Sequence, residues 1–266
     1  MHEKELILCD LLKCSRADLY ASGFTLSNEQ KAYLQEVIKR RSKGEPLQYI
    51  LGNTEFMGLE FKVSRSVFIP RPETEILVEK AIDLVRKSKI ENRKLKILDI
   101  GTGSGCIAVS LAKYLTNIEI TATDISKEAL EIAQENALLN GVADKINFVL
   151  SDLFSSIELQ ETSYDIIISN PPYIKTADIE NLQNELSYEP HIAQDAGPDG
   201  LRFYRRILVQ AADFLKTGGF LLMEMGFGES GLIKEIARET NKFEIVDVVL
   251  DYAGIERAIV LKLSNQ

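Results

Sequence analysis

The sequence predicts an α/β protein: a mainly parallel sheet with helices on both faces, preceded by a small helical unit. Three observations predict it. Beyond residue 94 the apolar pattern alternates between strand and helix lengths, the rhythm of a parallel sheet. The run Gly101-Thr102-Gly103-Ser104-Gly105 stands where a strand turns into a helix, a place that calls for residues with free backbones. Roughly the first 45 residues, in contrast, carry only helical spacing.

Within that first segment Ser27-Asn28-Glu29-Gln30 matches a capping box, Ala32, Tyr33, Val37 and Ile38 supply an apolar stripe, and Gly44 and Pro46 end the helix. Lys39, Arg40, Arg41 and Lys43 crowd its last turn. They read as cations that complement the helix dipole and face solvent, with a partner-binding patch as the other reading. Leu59, Phe61 and Val63 then alternate with Glu60 and Lys62 after a Met57-Gly58 turn signal, so 55–63 is expected to form a short hairpin linker. In Phe68-Ile69-Pro70-Arg71-Pro72-Glu73, Pro72 suits the first position of a helix that continues through Leu77, Ala81, Leu84 and Val85.

Strands are then expected at 96–100, 118–123, 146–150 and 164–169, with helices at 107–115 and 127–139. Further along, 201–214 and 232–240 read as helices and 220–225 as a buried strand. Strands 243–250 and 258–263 follow each other without a helix and are expected to pair antiparallel.

With 266 residues, 45% hydrophobic and 27% charged, the chain has enough length for one large core and an accessory unit. A net charge of -9 and a pI near 5.0 give no electrostatic footprint for nucleic acid. Cys9, Cys14 and Cys106 form no close-spaced pairs, and His2 and His191 stand far apart, so neither a disulfide framework nor a metal site is suggested. Asp10 and Lys13 interrupt the N-terminal apolar patch, no small-residue cleavage site follows, and no run of about 20 apolar residues occurs. The expectation is a cytoplasmic protein away from membranes, monomeric by default.

Three successive strand ends carry groups that suit an adenosyl ligand. Glycines in the first loop let a ligand approach the backbone where helix N–H groups point outward, so Gly101, Thr102, Gly103, Ser104 and Gly105 are expected to hold it. The spacing is GxGxG; Cys106 falls where the dinucleotide fingerprint wants a third small residue, which disfavours NAD. Asp99, just before the loop, suits the cationic amino-acid portion of S-adenosylmethionine better than a pyrophosphate. Asp124 ends the second strand, 23 residues after Gly101, where a carboxylate can accept from both ribose hydroxyls. Asp152 follows the third strand and can accept from the adenine amino group, with Leu153 and Phe154 packing on the ring. Each feature alone also has a structural reading, a turn or a helix cap.

Asn170-Pro171-Pro172-Tyr173 follows the fourth strand and opens onto the same sheet edge. Two prolines could merely stop a strand. The flanking residues add chemistry: the Asn170 side-chain oxygen and the Pro171 carbonyl can accept both hydrogens of a planar NH2 group and favour the positive charge that develops on its nitrogen. Proline rings hold that carbonyl still, and Tyr173 can lie against the planar group. What remains is to place nitrogen and methyl in line at about 3 Å, without metal or covalent intermediate.

These residues, with Gly44-Glu45-Pro46-Leu47-Gln48-Tyr49-Ile50-Leu51-Gly52, Ile69-Pro70-Arg71-Pro72-Glu73-Thr74-Glu75, Leu98 to Gly105, Ser151 to Phe154, Ser169 to Ile174 and Asp199-Gly200-Leu201, resemble the HemK/PrmC family over nearly the whole chain. These are N5-glutamine methyltransferases that modify the GGQ glutamine of class-1 peptide chain release factors. The tetrad alone is shared with adenine-N6 and other amino methyltransferases; the 69–75 stretch and the helical segment single out this family.

The resemblance implies a helical N-terminal recognition domain over 1–50, a hairpin linker over 51–75, and over 76–266 a class I (Rossmann-like) methyltransferase domain of seven strands. It maps donor binding onto Gly101 to Gly105, Asp124, Leu153 and Asn170, with Asp152 beside the adenine, and glutamine binding onto Asn170, Pro171, Pro172 and Tyr173. Asn170 and Pro171 would be the catalytic pair, S-adenosyl-L-homocysteine the product, and a release factor the partner. The chain departs slightly from the family pattern at Leu222-Met223-Glu224-Met225-Gly226 and Ile255-Glu256-Arg257.

Phe68, Arg71 and Glu73 read equally as an active-site border and as the run into a helix start. Residues 174–199 carry six acids and one lysine, and read as a lid that meets a partner through Glu185 and Glu189 or as a solvated loop. The rival activity is DNA adenine-N6 methylation, since the same tetrad can grip a flipped adenine.

Overall fold

Helices at the front of the chain and a twisted sheet behind them divide the molecule, in a computed structural model that describes residues 3–21, 23–87, 93–156, 159 and 163–264. His2 lies outside the described residues. Four helices come first: α1 (Glu3–Leu12), α2 (Arg16–Ala21), α3 (Asn28–Arg41) and α4 (Leu47–Leu51). The capping box forms as expected: Gln30 N–H donates to Ser27 Oγ at 3.1 Å, and Ser27 N–H donates to Gln30 Oε1 at 2.9 Å. Val37, Ile7, Leu47 and Ile50 bury a small core here.

The hairpin is β1 (Asn53–Phe56) and β2 (Leu59–Lys62), antiparallel, with Phe56 opposite Leu59. Met57 (φ 53°) and Gly58 (φ 69°) both take the left-handed region that a two-residue hairpin turn requires. Helix α5 (Pro72–Lys87) begins at Pro72.

Seven strands form the main sheet in the order β5-β4-β3-β6-β7-β9-β8. These are β3 (Leu95–Ile100), β4 (Ile118–Asp124), β5 (Ile146–Leu150), β6 (Tyr164–Ser169), β7 (Leu215–Glu224), β8 (Phe243–Leu250) and β9 (Glu256–Leu263). Strands β3 to β7 run parallel; β9 pairs antiparallel with both β7 and β8. Successive residues face opposite cores: Ile97, Ile166 and Ile168 meet α5 and α6 (Cys106–Tyr114), while Leu98, Ile167 and Leu221 meet α9 (Arg202–Phe214) and α10 (Ser230–Glu239). Burial on both faces explains why these strands read as unbroken apolar runs. Helix α7 (Lys127–Leu139) adds to the first face, and short α8 (Thr176–Ile179) opens the 174–199 segment.

Strand β7 is longer than the sequence predicts, starting at Leu215 rather than at 220. The polar, glycine-rich Lys216-Thr217-Gly218-Gly219 hid its first half. Register shifts between Tyr164 and Ile166 where β6 meets it, Gly218 takes φ 76°, and a Cβ on Gly219 would stand 2.9 Å from the Lys216 carbonyl oxygen. Among the described residues no helix is long and apolar enough to cross a membrane.

Candidate active site

Strand order reverses between β3 and β6, and ligands of doubly wound sheets bind at such a switch point beyond the strand C-termini. A cavity of about 650 Å³ opens there. It is lined by Gly101, Thr102, Gly103 and Ser104 after β3, Asp124 at the end of β4, Asp152 and Leu153 after β5, and Asn170, Pro171, Pro172 and Tyr173 after β6. Four consecutive strand ends in the sequence therefore meet in one chamber.

The glycine loop is fixed by its own backbone and one carboxylate. Thr102 N–H donates to the Thr123 carbonyl at 2.8 Å, and Gly103 N–H donates to Asp124 Oδ2 at 2.8 Å. Asp124 Oδ1 accepts from Ser126 N–H at 2.9 Å. Gly101 (φ 70°) and Gly103 (φ 55°) face open space, with nothing within 4 Å of a Cβ placed on either. Burial raises the Asp124 pKa, against the hydrogen bonds from Ser126 and Gly103.

Two loop residues are placed differently from the sequence reading. Gly105 does not line the cavity: it caps α6 in the left-handed region, and a Cβ there would meet the Ala133 Cβ at 3.0 Å, so close packing of α6 on α7 is what requires the glycine. Asp99 is wholly buried beneath the loop rather than facing the chamber. It accepts from the Thr102 hydroxyl at 2.6 Å, and burial raises its pKa to about 7.

After β5, Leu153 takes φ 55°, rare for a branched residue. Ser151 holds this turn, its hydroxyl donating to the Leu153 carbonyl at 2.9 Å and accepting from Ser156 N–H at 3.0 Å. Asp152 is paired with Arg206 of α9 at 2.8 Å, a partner the sequence did not suggest.

At the tetrad, Asn170 Nδ2 donates to the Thr74 hydroxyl on α5 at 3.1 Å. Tyr173 packs against the core beneath α9, and Gly226 gives it room, a Cβ there standing 3.0 Å from the ring. Phe68, Arg71 and Glu73 line the same cavity while Pro72 begins α5, so both readings of that stretch hold at once. The Arg71 guanidinium lies 4.7 Å from the Phe68 ring centre and pairs with Glu189.

The 174–199 segment is a strap tethered at several points, with 175–178 and other residues between the tethers exposed to solvent. Ile174 and Asp195 bridge, Glu189 is buried and accepts from Ile69 N–H at 3.1 Å, and Glu185 pairs with Arg41 at 2.6 Å. Arg41 also holds Glu3, and Arg40 holds Glu45, so these two α3 cations clamp the chain to itself instead of pointing into solvent. Glu185 and Glu189 thus face partners within the chain. Residues that sequence reasoning missed include Glu224, Arg206, Phe203 and Ile192 among the lining. Only Glu224 had a local signal, as the one acid in the apolar strand expected over 220–225.

A seven-stranded sheet with this order, a glycine turn after its first strand and a carboxylate at the end of the second are the frame of an S-adenosylmethionine-dependent methyltransferase. Comparison with known proteins agrees. Residues 76–188 match the methyltransferase small domain and residues 2–52 the PrmC N-terminal domain. The chain is 40% identical over 266 residues to the release factor glutamine methyltransferase of Thermodesulfovibrio yellowstonii, covering all of this chain and 93% of that one. It is 43% identical to the protein of the same name from Bacteroides thetaiotaomicron, covering 96% and 89%. It belongs to the release factor glutamine methyltransferase family. Among solved structures a Pyrococcus furiosus methyltransferase superposes with a TM-score of 0.54 at 18% identity, covering 90% of this chain and 100% of that one.

Proposed function

We propose that the chain transfers a methyl group from S-adenosylmethionine to the side-chain amide nitrogen of the GGQ glutamine in class-1 peptide chain release factors, in support of translation termination. The observation that carries this reading is the Asn170 amide: its nitrogen is engaged by Thr74, which leaves its oxygen free to accept in the chamber shared with the glycine loop.

The residues fit the donor. The open space at Gly101 and Gly103 admits a ligand against the backbone, and the cavity is of a size typical for cofactor sites, about 300–1,000 Å³. Gly101 to Ser104 would hold its amino-acid and ribose parts, Asp124 the ribose hydroxyls, and Asp152 with Leu153 the adenine. When bound it supplies an electrophilic methyl group with a built-in leaving group. Asn170 Oδ1 and the Pro171 carbonyl accept the two hydrogens of the glutamine NH2, which orients the nitrogen lone pair and favours the charge that builds there. Pro172 holds the turn and Tyr173 lies against the amide plane. No metal takes part in this scheme.

The family relationship also supports division into recognition helices (1–50), hairpin (51–75) and transfer domain (76–266) and work in the cytoplasm, and a monomer is taken as the default. A duplex DNA substrate is opposed by the net charge of -9. The test is incubation with labelled S-adenosylmethionine and a release factor, its GGQ→GGA form, or duplex DNA. Label is expected on the first alone; label on DNA and not on the release factor overturns the reading.

A further inference from the structure

We propose that Glu224 is a positioning residue which, through Thr74, fixes the direction in which the Asn170 amide points. The inference rests on the acceptor role given to Asn170 above. An amide side chain has nearly the same shape either way round, and only its neighbours decide which end faces the substrate. An Asn170 turned over would present NH2 to the NH2 of the substrate, two donors facing each other.

The sheet brings the carboxylate to the tetrad. Strands β6 and β7 are parallel with Ser169 opposite Met223, so the next residues on the two strands, Asn170 and Glu224, leave the sheet side by side. Glu224 is 3% exposed and its backbone carbonyl is anchored by the Tyr204 hydroxyl at 2.8 Å. Its carboxylate lines the chamber beside Thr74 and Asn170, both of which favour its charged form, and one oxygen, Oε2, is buried without a hydrogen-bond partner. Thr74, 2% exposed, arrives from the first turn of α5.

These three side chains have one consistent polarity. When ionised, Glu224 only accepts, so the neighbouring Thr74 hydroxyl proton is drawn to it. The lone pairs of Thr74 are then what Asn170 meets, and only its NH2 end can donate to them, as the 3.1 Å contact shows. Asn170 Oδ1 is left on the opposite side, toward the chamber. Burial raises the Glu224 pKa to about 7, with Glu73 adding to the rise and Thr74, Arg257 and Asn170 opposing it. A carboxylate kept beside the tetrad at such a desolvation cost matches a role at the site better than one in packing.

The experiment compares single-turnover methylation of a release factor by the wild type, T74V, T74S, E224M, N170D and the double variant N170D/E224Q, with donor affinity of each measured by calorimetry. T74V and E224M are expected to lose about 10- to 100-fold in turnover while donor affinity stays within about twofold. T74S, which keeps the hydroxyl, is expected to retain nearly full turnover. In N170D two carboxylates confront each other; the amide introduced by E224Q can donate to the new one, so the double variant is expected to exceed N170D by about tenfold or more. T74V and E224M at wild-type turnover, or a double variant no better than N170D, overturns the proposal. If T74V or E224M does not fold, the N170D pair decides. A wild type that binds the donor yet leaves the release factor unlabelled overturns the functional reading instead.

Discussion

The two halves of the chamber are built in different ways. The donor half is made mostly from consecutive strand–helix turns: Gly101 to Ser104, Asp124 and Leu153 are braced by residues within a few positions or on the adjacent strand, such as Ser126, Thr123 and Ser151, and only Asp152 among the named residues of this half takes a distant partner, Arg206, 54 residues away. The acceptor half depends on distant partners. Asn170 is held by Thr74, 96 residues away, and the chamber wall at Arg71 by Glu189, 118 residues away. A ligand common to many methyltransferases can be held by a locally encoded turn, whereas a grip on one particular NH2 group requires several elements to agree on a direction.

Breaking the long-range half is expected to cost the most stability. Arg71→Leu leaves Glu189, buried on the strap, without its cation, and removal of one partner of a buried pair costs about 3–5 kcal/mol. Glu189→Gln keeps an acceptor for Ile69 N–H and carries no charge, so it is expected to cost less. Urea unfolding of both variants checks this; equal losses would mean that the strap is held by packing rather than by the pair.

The local half contains a buried acid whose effect depends on pH. The Asp99 pKa stands near 7 in the fold against 3.8 as a free side chain, so between those values the folded state binds more protons than the unfolded one. Its contribution to stability is therefore complete below about pH 4 and is lost as pH rises through about 7, and Glu224 and Glu229, both raised to about 7, act in the same direction. Asp99→Asn should flatten that decline by on the order of a few kcal/mol in unfolding experiments across pH 4–8. An unchanged slope would show that Asp99 does not titrate in this window.

Smaller effects separate donor binding from acceptor binding. Asp124→Ala is expected to weaken S-adenosylmethionine binding about 10- to 100-fold, the worth of hydrogen bonds to a charged group, with little change in the KM for release factor. Calorimetry and steady-state kinetics read the two separately; a rise confined to the release-factor KM would place Asp124 in the wrong half. Far from either half, Ser27→Ala removes the α3 cap and should lower stability by about 1 kcal/mol without touching kcat.

Legibility in the sequence follows the same division. The parallel sheet, the hairpin at Met57-Gly58, the start of α5 at Pro72 and the antiparallel end strands were each readable because the signals are local: apolar runs of strand length alternating with helical stretches, apolar–polar alternation after a Met-Gly turn, a proline at the first helical position, two strands without an intervening helix. The lining of the donor half was readable for the same reason, except where burial decides. Nothing in the order of residues distinguishes an aspartate that faces a ligand from one tucked under the loop, as Asp99 is, or a glycine that admits a ligand from one that admits a neighbouring helix, as Gly105 does. Contacts such as Arg41–Glu185, Arg71–Glu189 and Asp152–Arg206 join segments far apart in the chain, and no periodicity records them.

Asn170→Ala tests the separation of the halves most directly. Calorimetry with S-adenosylmethionine on the folded variant, beside single-turnover transfer to a release factor, should show donor affinity within about threefold of wild type and transfer reduced by about 10²- to 10³-fold, the usual loss on removing one preorganised polar group from a transition state. A parallel fall in donor affinity and transfer would contradict the account, because Asn170 would then serve chiefly the donor contact that the resemblance also implies for it, and not the acceptor grip.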